Sequence, residues 1–386
     1  MYESTVPLSR GPTLRTDFGC LYAPGVQVAF DEQIFALQKY GGISRMFVDL
    51  ARQFLSEPSL GVNLLPLNAP VINRPVLDDD LTRTRMAVSD AHHEYYSLLR
   101  YLIRIRPRRG NDIVHNTFYL PHGLVRYPGA KRVVTVHDMI PERMPTTRRR
   151  LDFLTLKQRY VMSADHIICV SEATRDDMLD VYGTVSAPIS VIHHGVDTRF
   201  APHAPPLSEV PSNYVLFVGN RDQYKNGREL MQAFAAIASV DPDLSLLFVG
   251  GGPFTSEERD FLRGLGIADR TQQTSLSDED MPSAYANATA FVFPSSFEGF
   301  GMPVLEAMAS GCPTILAQAT SLPEIGGEAA VYFSPGDVEE LADKMTLVIN
   351  DRTLRENLRF KGLERASHFT WAHAAKQTAE AYRSTL

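Results

Sequence analysis

Cysteine is scarce in this chain: of 386 residues only Cys20, Cys169 and Cys312 carry a thiol, far apart and without a CxxC pair. That leaves no disulfide scaffold and no thiol-based zinc site, and it is the inventory of a reducing compartment, so a cytoplasmic protein is expected. No apolar run approaches the length needed to span a bilayer. Residues 1–25 lack a basic start followed by an apolar core, so no signal peptide is expected. With Pro7, Gly11, Pro12, Pro24 and Gly25, that stretch reads as a loose extension. An excess of positive charge is missing too. The formal net charge is −7, which argues against nucleic acid as a partner. Short-period repeats and low-complexity tracts are also absent.

The charge is nevertheless uneven. Residues 81–160 hold sixteen Lys or Arg against six Asp or Glu, leaving about −17 on the remainder. A basic stretch in an acidic chain suggests a face for an anionic partner. Arg104, Arg106, Arg108, Arg109 and Arg148-Arg149-Arg150 read either as solvated faces or as a peripheral contact with an anionic membrane or a lipid-diphosphate. Hydrophobic residues at 44% and charged residues at 22% form an ordinary globular balance, enough for two domains.

Short apolar runs alternate with helical stretches. Strands are expected at 26–30, 62–65, 112–115, 132–136, 166–170 and 189–193. A second series is expected at 214–218, 244–249, 290–293, 314–316 and 330–333, with helices including 43–55, 151–163, 173–182, 227–238, 278–287 and 302–310. This alternation predicts an α/β protein of βαβ units with mainly parallel sheets. Runs such as Val215-Leu216-Phe217-Val218 suit strands covered on both faces. A proline-rich stretch at 201–212 divides the chain into a unit at 26–200 and another at 213–368. A last helix, within 369–386, is expected to pack back on the first unit.

The richest segment runs from Phe293 to Gly311. A strand ends at Phe293, a loop carries Glu298, Gly299, Phe300 and Gly301, and a helix opens with Pro303 in its first turn and Glu306 further along. Ligands of open parallel sheets lie beyond the carboxyl ends of strands, and a glycine-preceded helix start offers free N–H groups to phosphate. Two carboxylates at different depths can reach different hydroxyls of one ligand; the bland alternative is one surface Glu and one paired Glu.

The Glu-x7-Glu spacing with Phe-Gly-x-Pro-x-x-Glu-Ala-Met-Ala-x-Gly resembles the signature of the retaining GT-B glycosyltransferases of family 4, which use nucleotide-sugar donors. Val136-His137-Asp138, Val170-Ser171-Glu172, His194-Gly195-Val196-Asp197, and Val218-Gly219 followed by Lys225-Asn226 agree in the same order. The resemblance implies two Rossmann-like domains facing across a cleft, the donor held by the C-terminal domain and the acceptor received by the N-terminal one. It implies that Glu298 contacts the transferred sugar, Glu306 holds the ribose, and His137 lies beside the sugar. It also implies that cations meet the departing diphosphate, a role assigned to Lys225 and Arg221; the family places its Arg where this chain has Asn220. No metal and no bound cofactor is implied, the nucleotide sugar being a co-substrate.

In the first unit, Gly41-Gly42 joins the first strand to a helix and allows close approach of a phosphate. This is not GxGxxG, so a nicotinamide site is disfavoured. His115 and Asn116, at another strand end, are candidates for an acceptor cleft or for ordinary packing, and Asp138 for orienting its loop or touching the acceptor. Asp78-Asp79-Asp80, His92-His93, His193-His194 and Gly250-Gly251-Gly252-Pro253 read as turns, exposed faces or hinge, although the last could border the donor. Residues 30–45 resemble bacterial mannosyl- or rhamnosyltransferases of O-antigen and exopolysaccharide synthesis, which implies a GDP-linked donor of the mannose series and a glycan or lipid-linked acceptor. A nucleotide-sugar epimerase, a sugar phosphorylase of the same fold, and a sugar-nucleotide-binding scaffold remain as alternatives.

Overall fold

The computed structural model describes residues 25–37, 41–65, 109–144, 150–221, 223–238 and 241–386. The expected extension, Cys20, Asp78-Asp79-Asp80, His92-His93, Arg104, Arg106, Arg108, Arg148 and Arg149 lie outside the described residues.

Two six-stranded sheets, every pairing parallel, form the frame. The first holds β1 (Val26–Phe30), β2 (Val62–Leu64), β3 (Ile113–Asn116), β4 (Lys131–Val136), β5 (His166–Cys169) and β6 (Ile189–Val191), in the order β2-β1-β3-β4-β5-β6. Its helices are α1 (Gln33–Leu37), α2 (Gly42–Ser56), α3 (Ile140–Arg143), α4 (Arg150–Met162) and α5 (Glu172–Tyr182). The second holds β7 (Tyr214–Val218), β8 (Ser245–Val249), β9 (Thr271–Thr274), β10 (Ala290–Phe293), β11 (Thr314–Ala317) and β12 (Ala330–Phe333), in the order β12-β11-β10-β7-β8-β9. With it come α6 (Gly227–Ile237), α7 (Ser256–Gly264), α8 (Met281–Ala286), α9 (Met302–Ala309), α10 (Leu322–Gly326), α11 (Val338–Asn350), α12 (Arg352–Ser367) and α13 (Trp371–Thr385).

The apolar strands are the buried ones. Leu216, Phe217, Leu247, Phe248, Phe291 and Phe293 have no exposed surface and form one core with Val304, Leu305 and Met308 of α9. β9 escaped the apolar pattern because Thr271-Gln272-Gln273-Thr274 is polar; it is a half-buried edge strand on β8. The helix expected at 278–287 starts later. Ser277 and Asp280 close a turn through their side chains, and Pro282 sits in the first turn of α8.

The chain crosses back at its end. Trp371, Ala375, Ala379 and Tyr382 of α13 join Phe30, Phe47 and Phe54 in the first sheet's core, each large apolar side chain contributing about 1.5–3 kcal/mol. The crossing is close: a Cβ on Gly195 would lie 2.1 Å from the Trp371 nitrogen, and Val196 N–H donates to the Phe369 carbonyl at 3.0 Å. Only a residue without a side chain fits at 195.

Candidate active site

The carboxyl ends of β7 and β10 are laced together. Asn226, in a left-handed conformation at φ 54°, donates its side-chain amide to the Pro294 carbonyl at 2.9 Å, and Ser296 N–H donates to the Tyr224 carbonyl at 2.8 Å. This lacing brings the Lys225 ammonium onto the Glu298 carboxylate and over the Phe293 ring, 4.9 Å from its centroid. The loop between β11 and α10 holds the Glu298 backbone from the other side. Glu298 N–H donates to Thr320 Oγ1 at 2.9 Å, and Ser321 Oγ donates to the carbonyls of Glu298 and Phe300, both at 3.0 Å.

Gly299 is where the two units meet. Its carbonyl accepts from Ser171 Oγ at 2.6 Å and Thr174 Oγ1 at 2.9 Å, at the head of α5. A Cβ on Gly299 would stand 1.8 Å from the His137 carbonyl oxygen. Glu298 and His137, assigned to one sugar by the resemblance, are therefore brought to a single junction. Burial, then His194 and His115 nearby, push the His137 imidazole well below the usual histidine range, so it is neutral. Its Nε2 is buried with no hydrogen-bond partner among the described residues. A buried ring nitrogen left without a partner is uncommon in a folded protein.

Gly301, at φ 98°, opens α9, with Pro303 in the first turn. Glu306, 7% exposed, points into the second unit's cleft side: Tyr285 OH donates to its Oε2 at 2.9 Å, and Arg45 NH1 from α2 lies 3.4 Å from its Oε1. Burial raises its carboxyl above the ordinary range, opposed by Arg45 and the Tyr285 hydrogen bond. Beside it is a cavity of about 270 Å³ lined by Val218, Gly219, Gly250, Leu276, Met281 and Glu306, at the carboxyl ends of β7, β8 and β9. Gly250, of the turn after β8, borders this cavity. At the start of α2, Gly41 and Gly42 are exposed, the cap has no side-chain bond, and a Cβ on Gly42 would meet nothing among the described residues, which leave the N–H groups there open to approach.

The expectations for Arg221, His115 and Asn116 need correction. Arg221 is 8% exposed and fully engaged: it pairs with Glu258 at 2.7 Å, donates to the Gly250 carbonyl at 3.1 Å, and stacks 4.8 Å from the Phe254 centroid. It braces the turn after β8 instead of offering a free cation to phosphate. His115 lies in the core, where an acceptor cannot reach it. Its nitrogens meet Tyr382 OH and Thr135 Oγ1, each at 2.7 Å, and burial pushes it down to about 3. Asn116 is likewise buried, donating to Asp31 at 2.5 Å and accepting from Arg132 at 2.6 Å. Asp138 orients its loop: Oδ1 accepts from Ile140 N–H at 3.1 Å, and its carbonyl accepts from Lys157 Nζ at 2.5 Å.

Several contributors escaped the sequence reading. Glu324 reaches from α10 to the N–H groups of Glu172 and Ala173 at 2.8 and 3.2 Å and to His193 Nε2 at 2.6 Å, capping a helix of the other unit. Arg45, Asp278 and Tyr285 surround Glu306 from elements distant in sequence. Ser275 and Leu276 follow the polar β9, and recognising that strand would have pointed to them.

Comparison with known proteins places this geometry in a class. Residues 40–200 match the family described as Glycosyltransferase Family 4, and residues 201–365 match Glycosyl transferases group 1. The chain is 31% identical over 283 residues to the O-antigen chain mannosyltransferase B of Escherichia coli, covering 69% of this chain and 72% of that one. It is 30% identical over 300 residues to the MMP alpha-(1->4)-mannosyltransferase of Mycolicibacterium hassiacum, covering 72% of each. Among solved structures, Anabaena HepE in complex with UDP-glucose superposes with a TM-score of 0.72 at 19% identity, over 93% of this chain and 100% of that one. Sucrose-phosphate synthase from Thermosynechococcus elongatus gives 0.69 at 20% identity, over 93% and 98%. The fold is GT-B, two Rossmann-like units with parallel sheets. The chain belongs to the family 4, group 1 glycosyltransferases.

Proposed function

We propose that this glycosyltransferase moves a mannose-series hexose from a GDP-linked donor to a glycan or lipid-linked saccharide in cell-surface polysaccharide synthesis, with retention of anomeric configuration and without a metal. The observation that carries the reading is the placement of the two glutamates. Glu306 borders a cavity at the strand ends of the second unit, and Glu298 stands at the junction with His137 of the first. The names of the mannosyltransferases that this chain resembles support the choice of sugar.

In this mechanism the nucleoside occupies the cavity and its ribose hydroxyls donate to Glu306. The diphosphate draws Lys225 away from Glu298 and faces the open N–H groups at Gly41 and Gly42. A fixed ammonium and helix start act where negative charge grows as the sugar–phosphate bond breaks, so their effect is greatest in the transition state. The neutral His137 holds a sugar hydroxyl through Nε2, Glu298 accepts from another, and the acceptor hydroxyl attacks from the face the diphosphate leaves, passing its proton to the departing diphosphate oxygen. The work is done at the inner face of the cytoplasmic membrane, reached through the basic part of the first unit. No helix among the described residues is long and apolar enough to cross a membrane.

A thermal-shift panel of GDP-, UDP-, ADP- and dTDP-sugars tests the donor. A ligand at a hundred times its Kd stabilises by about 2.7 kcal/mol, and GDP-mannose should give the largest shift. Glu306→Ala should lose that shift; an undiminished shift in this variant would remove the central assignment. Nucleotide release that requires an acceptor separates transfer from epimerisation, from phosphate-dependent phosphorolysis and from mere binding.

A further inference from the structure

Helix α2 carries a guanidinium from the first unit into the cavity of the second. Arg45 NH2 donates to Asp278 Oδ2 at 2.5 Å, and NH1 lies 3.4 Å from Glu306 Oε1. With Arg221 committed to Glu258, Arg45 is the only basic residue among the described ones lining this cavity. Three-quarters of its side chain is covered, although it sits one turn from the open start of α2.

Glu306 needs such a neighbour. Ribose hydroxyls donate to an ionised carboxylate, and burial works against ionisation here. Opposing burial are Arg45 from α2, the Tyr285 hydroxyl from α8, and Arg199 from the segment after β6; Asp278, before α8, adds to the effect of burial. Tyr285 bonds Oε2, which leaves Oε1 oriented by Arg45.

Resting on the transferase reading above, we propose that Arg45 is a donor-positioning residue lent by the first unit to the nucleotide site: it holds Glu306 charged and turned toward the ribose. The nucleotide site is then incomplete in the second unit alone, and tight donor capture requires the two units to be together. The arrangement links occupancy of the cavity to the geometry that also seats Gly299 on His137.

The test is calorimetric titration of the full chain with GDP-mannose and with UDP-glucose from pH 5 to 8, following whichever the native protein binds more tightly. Arg45→Met should raise Kd about tenfold at pH 7.5, the loss expected for one charge-assisted contact. It should also move the acid limb of binding to higher pH, because Glu306 then takes up its proton earlier. Arg45→Lys, with one ammonium in place of a fork, should lie between the two. Should the Met variant fail to fold by thermal unfolding, the Lys variant decides by its Kd and acid limb. A native Kd, tighter binding or an unmoved acid limb overturns the proposal. Glu306→Ala separates the levels. If it loses binding while the Arg45 variants do not, only the role of Arg45 fails; if it binds normally, or the native chain binds neither nucleotide sugar, the donor-site reading fails first.

Discussion

Replacing Gly299 with alanine puts a methyl group into the backbone of the opposite unit. The new Cβ would stand 1.8 Å from the His137 carbonyl oxygen, 2.8 Å from its carbonyl carbon and 2.9 Å from Asp138 Cβ. These are backbone and β-carbon atoms, with no flexible side-chain end to swing aside, so the junction must open by about 1.6 Å or more before ordinary contact is restored. Backbone strain is not the cause, since Gly299 is not in the left-handed region. The opening stretches the bonds from Ser171 at 2.6 Å and Thr174 at 2.9 Å past useful length. At about 1 kcal/mol net for each, the contact between the units loses about 2 kcal/mol. The chemistry suffers more, because a reacting group misplaced by about 1 Å costs on the order of 10²-fold. The expected result is a fall in kcat/KM of at least that size together with a weaker nucleotide Kd, since opening the junction also draws Arg45 away from Glu306. Steady-state transfer and calorimetry on one preparation read both. Native turnover in Gly299→Ala would refute the claim that this junction assembles the site.

Lys225→Ala should lower kcat/KM by about 10²–10³, the usual cost of one charge-stabilising group, and equal rates in the two proteins would exclude Lys225 from the diphosphate. Arg221→Ala should act on stability instead. It takes the cation from Glu258, which keeps the Thr255 N–H, and one of two donors from the Gly250 carbonyl, which keeps Gln273, costing about 2 kcal/mol in urea unfolding while nucleotide affinity holds. A selective loss of affinity without destabilisation would restore Arg221 to the donor. Asp49 provides a pH signature. Burial raises its carboxyl from 3.8 to about 6 despite Arg52 at 2.9 Å, so the folded state holds the proton more tightly than the unfolded one. Its contribution is therefore most favourable below pH 4 and is lost as pH rises toward 6, by up to about 3 kcal/mol. Relative to Asp49→Asn, the native protein should lose ground between pH 4.5 and 7.5 in chemical denaturation, and a constant difference would contradict this.

The βα alternation, the apolar strands and the Glu-x7-Glu loop were legible in the residues alone, because they are local. Pro303 can open a helix, glycines can leave N–H groups bare, and Val215-Leu216-Phe217-Val218 suits only a covered strand. That is why the second sheet was read nearly strand for strand, with polar β9 the exception. Which of several plausible cations faces the donor was not local. Arg221 and Lys225 share one loop, yet Glu258 at the start of α7 claims the first and Glu298 receives the second. His115 and His137 both end parallel strands, but the ring of one is closed off by Tyr382 from the far end of the chain while Nε2 of the other has no partner among the described residues. Arg45 meets Glu306 across 261 positions of sequence. Secondary structure follows from neighbours a few residues apart. The fate of a charged side chain depends on the partner that the fold brings to it, and here that partner comes from another element and often from the other unit.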